Sequence, residues 1–500
     1  MSSGAPRYLD YAATTPVDPA VAAAMSACLT MSGDFANPSS THALGMHAAA
    51  RIEEARAQVA ALIGAAPDEI VFTSGATESD NLAVLGVARA NADRGRHLIS
   101  SRTEHKAILD PCKRLEKEGF AVSYLTPTRS GLIDPEALAA ALRPDTVLVS
   151  IMGVNNEIGV RQDLAALGAL CRERGIPFHS DCAQAAGKVP LEVHALPVDL
   201  VSITAHKIYG PKGVGALYVR RGAKGLLQPL LYGGGQERSL RPGTLATHQI
   251  VGFGVACEIA ARVLPEEATR LTALRERLWQ GLCGLGGVHL NGAGAPRAPG
   301  ILNVSFEGVH GESLVRGLGG LAVSTGAACN SDSPDPSYVL RALGRDSQLA
   351  QSSLRFSVGR FTSEADVDFA ADLVRSEVER LRELSPAWAP ERAESGALAG
   401  QGGATIVSGE AGGPGEETWV RFHLAVAGDI VKEARFKAFG CPHTMDTVAW
   451  LCGQLRGRSR QALIPGTPAA WAARGAVPPE KLGRLLIVED ALRACLSRWP

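Results

Sequence analysis

The 500-residue chain reads as an α/β protein with a mainly parallel sheet covered by helices on both faces. Three observations predict this. Apolar runs at 70–73, 97–101, 121–125, 147–154, 176–180, 200–204 and 214–219 alternate with stretches of helical period. The first run ends in a small-residue turn, Ser74-Gly-Ala-Thr77, that feeds a helix, an arrangement whose free N–H groups and dipole favour an anion. Polar or ionisable groups follow the later runs: His105, Asn155-Asn-Glu157, Asp181-Cys-Ala-Gln184 and His206-Lys207. Ligands in such sheets bind at the carboxyl ends of the strands, so these groups are expected to converge on one edge.

In chain order, residues 8–16 form a short extended entry ending at a proline turn, and 18–32 and 43–64 read as helices. The second helix is rich in Ala, with Arg51, Glu53, Glu54 and Arg56 on its wet side. After the sheet, 247–264 and 266–284 read as two helices. A second α/β pattern follows: a strand at 300–306, a loop of small residues at 324–336, a helix from Ser337, a strand near 354–357 and a helix over 363–384. Residues 386–404 are rich in Pro, Gly and Ala without periodicity and read as a linker. Beyond it, 419–426 and 430–439 alternate like a hairpin turning at Gly428-Asp429, followed by helices near 444–456 and 489–498.

The bulk composition is that of a soluble globular protein, 46% hydrophobic and 20% charged, with a formal net charge of −1. No basic field points to nucleic acid, and Arg456, Arg458 and Arg460 read as a solvated helix end. No run approaches the roughly 20 apolar residues of a membrane helix. The first residues lack the apolar core of a signal peptide, so the expectation is a cytoplasmic protein without membrane or nucleic-acid partners. The ten cysteines are scattered, as small core residues are in a reducing compartment.

A lysine at the end of a buried strand is costly unless its charge is lost or used. Lys207 follows the run Leu200-Val-Ser-Ile-Thr204 and can form an imine with pyridoxal 5′-phosphate (PLP). Such a site also needs an acid for the pyridine nitrogen, phosphate donors and a group that stacks and moves protons. Asp181 suits the first need, and Gln184 the ring hydroxyl. The backbone of Ala76, with Thr77, Thr204 and His206, suits the phosphate. His105 suits stacking and proton transfer.

Residues 7 to about 390 resemble the PLP-dependent cysteine desulfurases of the IscS/NifS class, within the class-V aminotransferases. The matching stretches are Tyr8-Leu-Asp-Tyr-Ala-Ala-Thr-Thr-Pro16, Thr73-Ser-Gly-Ala-Thr-Glu-Ser-Asp-Asn81, Thr103-Glu-His-Lys106, Val154-Asn-Asn-Glu-Ile-Gly159, His206-Lys-Ile-Tyr-Gly-Pro-Lys-Gly213, Gly233-Gly-Gly-Gln-Glu-Arg238, Arg241-Pro-Gly-Thr244 and Arg355-Phe-Ser-Val-Gly-Arg360. The resemblance implies PLP fold type I, with a seven-stranded-type sheet in a large domain at 16–264. It implies a small domain made of 1–15 and 265–385, with 386–404 as linker. It also implies a homodimer in which Thr244 reaches the phosphate of the partner's cofactor.

Arg355 and Asn156 would hold the carboxylate of L-cysteine. Cys329, in Ser324-Thr-Gly-Ala-Ala-Cys329, would be the nucleophile, taking sulfur as a persulfide and leaving L-alanine. Cys182 departs from the family pattern beside Asp181 and is expected to be a bystander. Other chemistries on this fold are a selenocysteine lyase, an aminotransferase, or an inactive desulfurase serving as adaptor. An aminotransferase would not need Cys329, and an adaptor would not need the set Lys207, Asp181 and His105.

Residues 405–500 resemble the IscU/NifU-type iron–sulfur scaffolds through Ala434-Arg-Phe-Lys-Ala-Phe-Gly-Cys441 and Glu489-Asp-Ala-Leu492. The scaffold's other ligand positions read Val407-Ser-Gly-Glu-Ala-Gly412 and Gly483-Arg484 here, so two of its three cysteines are missing. A lone thiolate does not hold a cluster that wants about four such ligands. Cys441 is therefore a candidate sulfur acceptor, no metal site is expected, and the onward acceptor is expected to be a protein such as an iron–sulfur scaffold.

Overall fold

The computed structural model describes residues 5–325, 335–386, 388 and 404–500. Its largest sheet has seven strands in the order Ile70–Thr73, Gly215–Val219, Leu200–Thr204, Phe178–Asp181, Thr146–Ser150, His97–Ser101, Ala121–Leu125. The last five are mutually parallel, and Gly215–Val219 runs antiparallel to both of its neighbours. The six strands other than the edge strand Ala121–Leu125 are buried at every position, because helices cover both faces. Polar side chains inside the sheet are paired across it. His97 joins Thr146 Oγ1 at 2.7 Å and Ser123 Oγ at 2.9 Å.

The entry helix is shorter than the sequence suggests, Pro19–Ser26. Asp18 caps its start by accepting from Ala20 N. The chain folds back on the helix end at Gly33, where a Cβ would lie 1.7 Å from the Ala27 carbonyl oxygen. The expected break at Pro265 does not occur either, since Thr247–Cys283 is one 37-residue helix. Pro265 is exposed, so the backbone bond it removes faces water. Before Pro265 the helix packs Ile250, Phe253 and Ala256 into the core of the large sheet. After it, Leu274, Leu278 and Leu282 enter a second core with Val304, Phe356 and Val374. That second core lies under a four-stranded sheet ordered Ser324–Thr325, Ser353–Ser357, Ile301–Phe306, Val288–Leu290.

The last hundred residues form a three-stranded antiparallel sheet of Thr405–Gly413, Thr418–Ala427 and Ile430–Phe439, backed by the helices Pro442–Leu455, Pro468–Gly475 and Leu482–Ser497. The hairpin at Gly428-Asp429 forms as expected. The strand Thr405–Gly413 was not legible because it is glycine-rich. Gly409 is needed there, since a Cβ would sit 2.3 Å from Cys495 N in the last helix. Among the described residues no helix is long and apolar enough to cross a membrane.

This terminal unit contacts the helix Gly311–Gly317 of the preceding one. Ser313 Oγ donates to the Gly440 carbonyl at 2.7 Å, Arg316 pairs with Asp446 and Lys481 with Glu312. His310 is buried edge-on against Phe439, with no hydrogen bond to either ring nitrogen. Burial, with Arg484 nearby, pulls its pKa down from 6.5 to about 4, against the opposing charges of Glu312 and Glu417. With the imidazole exposed and titrating near 6.5, the apposed state binds fewer protons below that pH, so the contact is fully stable above about 6.5 and weakens as pH falls toward 4. Protection factors of the amides at 439–445, after correction for intrinsic exchange, are expected to fall between pH 7 and pH 5, and His310→Phe should flatten that dependence. Equal pH dependence in the variant would assign it elsewhere.

Candidate active site

A cleft of about 570 Å³ opens at the carboxyl ends of the large sheet. It gathers most of the residues singled out in the sequence: Ala76, Thr77, His105, Asn156, Asp181, Gln184, Thr204, His206, Lys207 and Arg355 all line it. All but Arg355 close or follow strands of the large sheet that end there, and Arg355 reaches it from the middle of Ser353–Ser357 in the smaller sheet. Leu200–Thr204 runs straight into a single helical turn, Ala205–Lys207, that lifts Lys207 over the edge. The Lys207 amine donates to the carbonyls of Ala12 and Ala13 at 2.6 and 2.7 Å. The N-terminal entry segment thus forms part of the cleft.

Asp181 is buried at the end of its strand and accepts from Ala183 N at 2.9 Å. Burial raises its pKa, against the pull of His105 and Lys207. His105 faces it and also caps the next helix, accepting from Ala107 N through Nδ1. Burial and the charge of Lys207 lower its pKa, so the ring is neutral with its proton on Nε2. Capping a helix and lining the cleft are compatible roles. Burial likewise brings His206 down to about 4. Asp80, missed in the sequence, lines the cleft from the helix Ala76–Ala90. Its burial and the neighbouring Asp181 push it well above the usual carboxylate range.

The opposite end of the cleft suits a phosphate. The helix Ala76–Ala90 starts at Gly75 without a side-chain cap. Gly75 has φ +150°, which a side chain rarely adopts, and a Cβ there would meet nothing nearer than Thr204 Oγ1 at 3.8 Å. A glycine turn facing a hydroxyl across open space, at a helix N-terminus, fits the phosphate of PLP. The acid Asp181, the amine Lys207 and the ring of His105 fit the rest of the cofactor.

Arg355 lies on Ser353–Ser357, 4% exposed. It donates to the Asn156 carbonyl at 3.0 Å and to Asp10 at 2.8 Å, while its buried Nε has no partner. A fixed guanidinium with an unused donor is a carboxylate grip. Asp10, unnoticed in the sequence, sets its orientation. Cys329 lies outside the described residues, but both ends of its segment are fixed. Ser324 pairs in register with Arg355. Ser337 donates to Glu157, next to Asn156, at 2.6 Å.

The structure does not bring three further residues into the cleft. Thr244 is exposed, beyond a loop in which Glu237, Arg238 and Ser239 all have positive φ. That strained loop is pinned by buried Glu237, which accepts from Arg56 at 2.7 and 2.8 Å and from Phe72 N at 2.7 Å. Cys441 is fully buried and touches Thr444 Oγ1 at 3.4 Å, beneath the contact with Gly311–Gly317. In this packing the thiol has no exposed surface. Cys182 is equally buried, its thiol pushed up to about 12, and is inert. Among the described residues no group of three or more His, Cys, Asp or Glu is arranged to hold a metal.

Comparison with known proteins accords with this geometry. The family model "Aminotransferase class-V" matches residues 7–369. The cysteine desulfurase IscS of Pectobacterium atrosepticum is 56% identical over 384 residues, covering 77% of this chain and 95% of that protein. The IscS of Aeromonas hydrophila matches to the same extent. Among solved structures, a NifS-like protein superposes with a TM-score of 0.70 at 37% identity, covering 76% of this chain and all of that one. SspA in complex with cysteine gives 0.64 at 39%, covering 71% of this chain and all of that one. With the lysine, acid and phosphate cradle at one sheet edge, the chain belongs to the class-V aminotransferase family and, within it, to the PLP-dependent IscS/NifS-type cysteine desulfurases.

Proposed function

We propose that this desulfurase uses Cys329 as its sulfur-accepting nucleophile and delivers the sulfur to an acceptor protein such as an iron–sulfur scaffold. The observation that carries this is the anchoring of both ends of the Cys329 segment at the cleft, one beside Arg355 and the other on Glu157. PLP, when bound, draws electrons from the substrate carbon skeleton. Lys207 would carry it, Asp181 would pair with its ring nitrogen, and Ala76, Thr77, Thr204 and His206 would hold its phosphate. Arg355, with Asn156, orients the L-cysteine carboxylate. His105, neutral and with Nε2–H directed inward, moves protons.

The working unit in this reading is a cytoplasmic homodimer with Thr244 completing the partner's phosphate site. The exposed apolar side chains Leu29, Met31, Leu44, Met46, Leu231 and Tyr232, unusual for a monomer surface, support it. The division into a large domain at 16–264, a small domain of 1–15 and 265–385, a linker and a terminal domain at 405–500 follows the separate cores. The terminal domain is a scaffold-like fold that has lost its cluster ligands and serves as a docked companion of the small domain. One turnover with sulfur-labelled L-cysteine should leave one label per chain on the Cys329 peptide and one equivalent of alanine. Label on Cys441, or alanine without protein-bound sulfur, would overturn the reading.

A further inference from the structure

Behind the cleft runs a chain of hydrogen bonds that the reaction as described does not use. Lys188 Nζ lies 2.6 Å from Gln184 Oε1. Gln184 Nε2 donates to the Ala12 carbonyl at 2.7 Å, and the same carbonyl accepts from Lys207 at 2.6 Å. Lys188 is not in the cleft wall. It faces a smaller cavity on the far side, with Tyr11, Leu264, Glu267 and Leu271. Its position is rigid. Gly187, at φ +67°, packs so closely on Ile208 that a Cβ would approach Cγ2 to 2.9 Å. The turn carrying Lys188 is thus clamped to the residue after Lys207.

We infer that Lys188 is a positioning residue for desulfuration: by donating to the Gln184 carbonyl it turns the Gln184 NH₂ edge toward the cofactor's ring oxygen. This rests on the reading of Gln184 as the group that meets that oxygen. The chemistry leaves one orientation. A backbone carbonyl only accepts and an ammonium only donates, so an amide held between Ala12 and Lys188 must direct its nitrogen to the first and its oxygen to the second. Its remaining N–H is available to the cleft that Gln184 lines. The ionised ring oxygen of PLP is an acceptor and requires a donor. A flipped amide would present a carbonyl to it. The charged groups around the Lys188 amine are Lys207, Arg355 and Glu267. Burial, together with the first two, pulls its pKa down to about 7, and the amine donates to the Gln184 side-chain oxygen whether it is charged or neutral.

The test follows the visible absorption band of bound PLP as a function of pH in wild type, Lys188→Met, Lys188→Arg and Gln184→Leu. A donor on the ring oxygen and a cation nearby both disfavour the protonated form of the cofactor's link to Lys207. Lys188→Met is therefore expected to raise the midpoint by about one unit, a tenfold change in proton affinity. Lys188→Arg should stay near the wild-type midpoint because it retains donor and charge. Lys188→Ala, which removes the stem as well, should move the midpoint the same way as Lys188→Met and serves if that variant folds poorly. The inference is overturned if Gln184→Leu raises the midpoint while Lys188→Met and Lys188→Ala titrate like wild type at full cofactor content. If Gln184→Leu itself leaves the midpoint unmoved, the assignment of Gln184 fails instead, and the inference falls with it.

Discussion

Lys207→Ala is expected to lower alanine release from L-cysteine by at least about a thousandfold, because it removes the amine that the end of Leu200–Thr204 sets in the cleft to carry the cofactor. Three consequences separate this from general damage. The variant should lose PLP on dialysis, since the phosphate cradle at Gly75 then holds it alone. It should remain folded, because the bonds lost are those to the Ala12 and Ala13 carbonyls, worth about 1 kcal/mol each. Lys207→Arg should be equally inactive, as a guanidinium does not deprotonate at any pH the protein tolerates. Absorbance after dialysis, circular dichroism and alanine release measure all three. Turnover within tenfold of wild type would remove Lys207 from the chemistry.

Cys329→Ala is expected to abolish sulfide release to a similar degree, by at least about a thousandfold, while the cofactor stays bound and still responds spectrally to L-cysteine. In the proposed reaction the Cys329 thiolate would attack the substrate sulfur. The Cβ–S bond would break with its electron pair left on the carbon skeleton, which would take up a proton and leave as alanine, and the sulfur would remain as a Cys329 persulfide. Without the thiol there is no acceptor for the sulfur atom. Cys182→Ala and Cys441→Ala are the controls and should turn over like wild type, because both thiols are fully buried. Undiminished sulfide release from Cys329→Ala would move the nucleophile elsewhere.

Much of this site was readable in one dimension because strand ends carry it. A buried parallel strand announces itself as an apolar run, and the residue after it must sit at the sheet edge. Asp181, His105 and Lys207 could therefore be placed from sequence. Helix 247–283 was misread because proline's local penalty is visible in sequence, whereas the exposure that makes it tolerable is not. The first strand of the terminal domain, Thr405–Gly413, escaped the sequence reading for a similar reason. Gly409 looks like a strand breaker until the close approach of the last helix explains it.

The sequence by itself determined the fold class, the cofactor chemistry and which lysine, acid and small-residue turn follow the strands of the large sheet. These depend on local patterns: periodicity of burial, small-residue turns, and reactive groups following strands. The tertiary structure alone decided which distant side chains aim them. Asp10 grips Arg355 from 345 residues away, Glu237 pins its loop through Arg56 from 181 away, and Ala12, far earlier in the chain, joins Gln184 to Lys207. It also decided that Cys441 is buried and Thr244 exposed. Hydrogen-bond partners and solvent exposure depend on how separate elements pack, and no spacing along the chain encodes that.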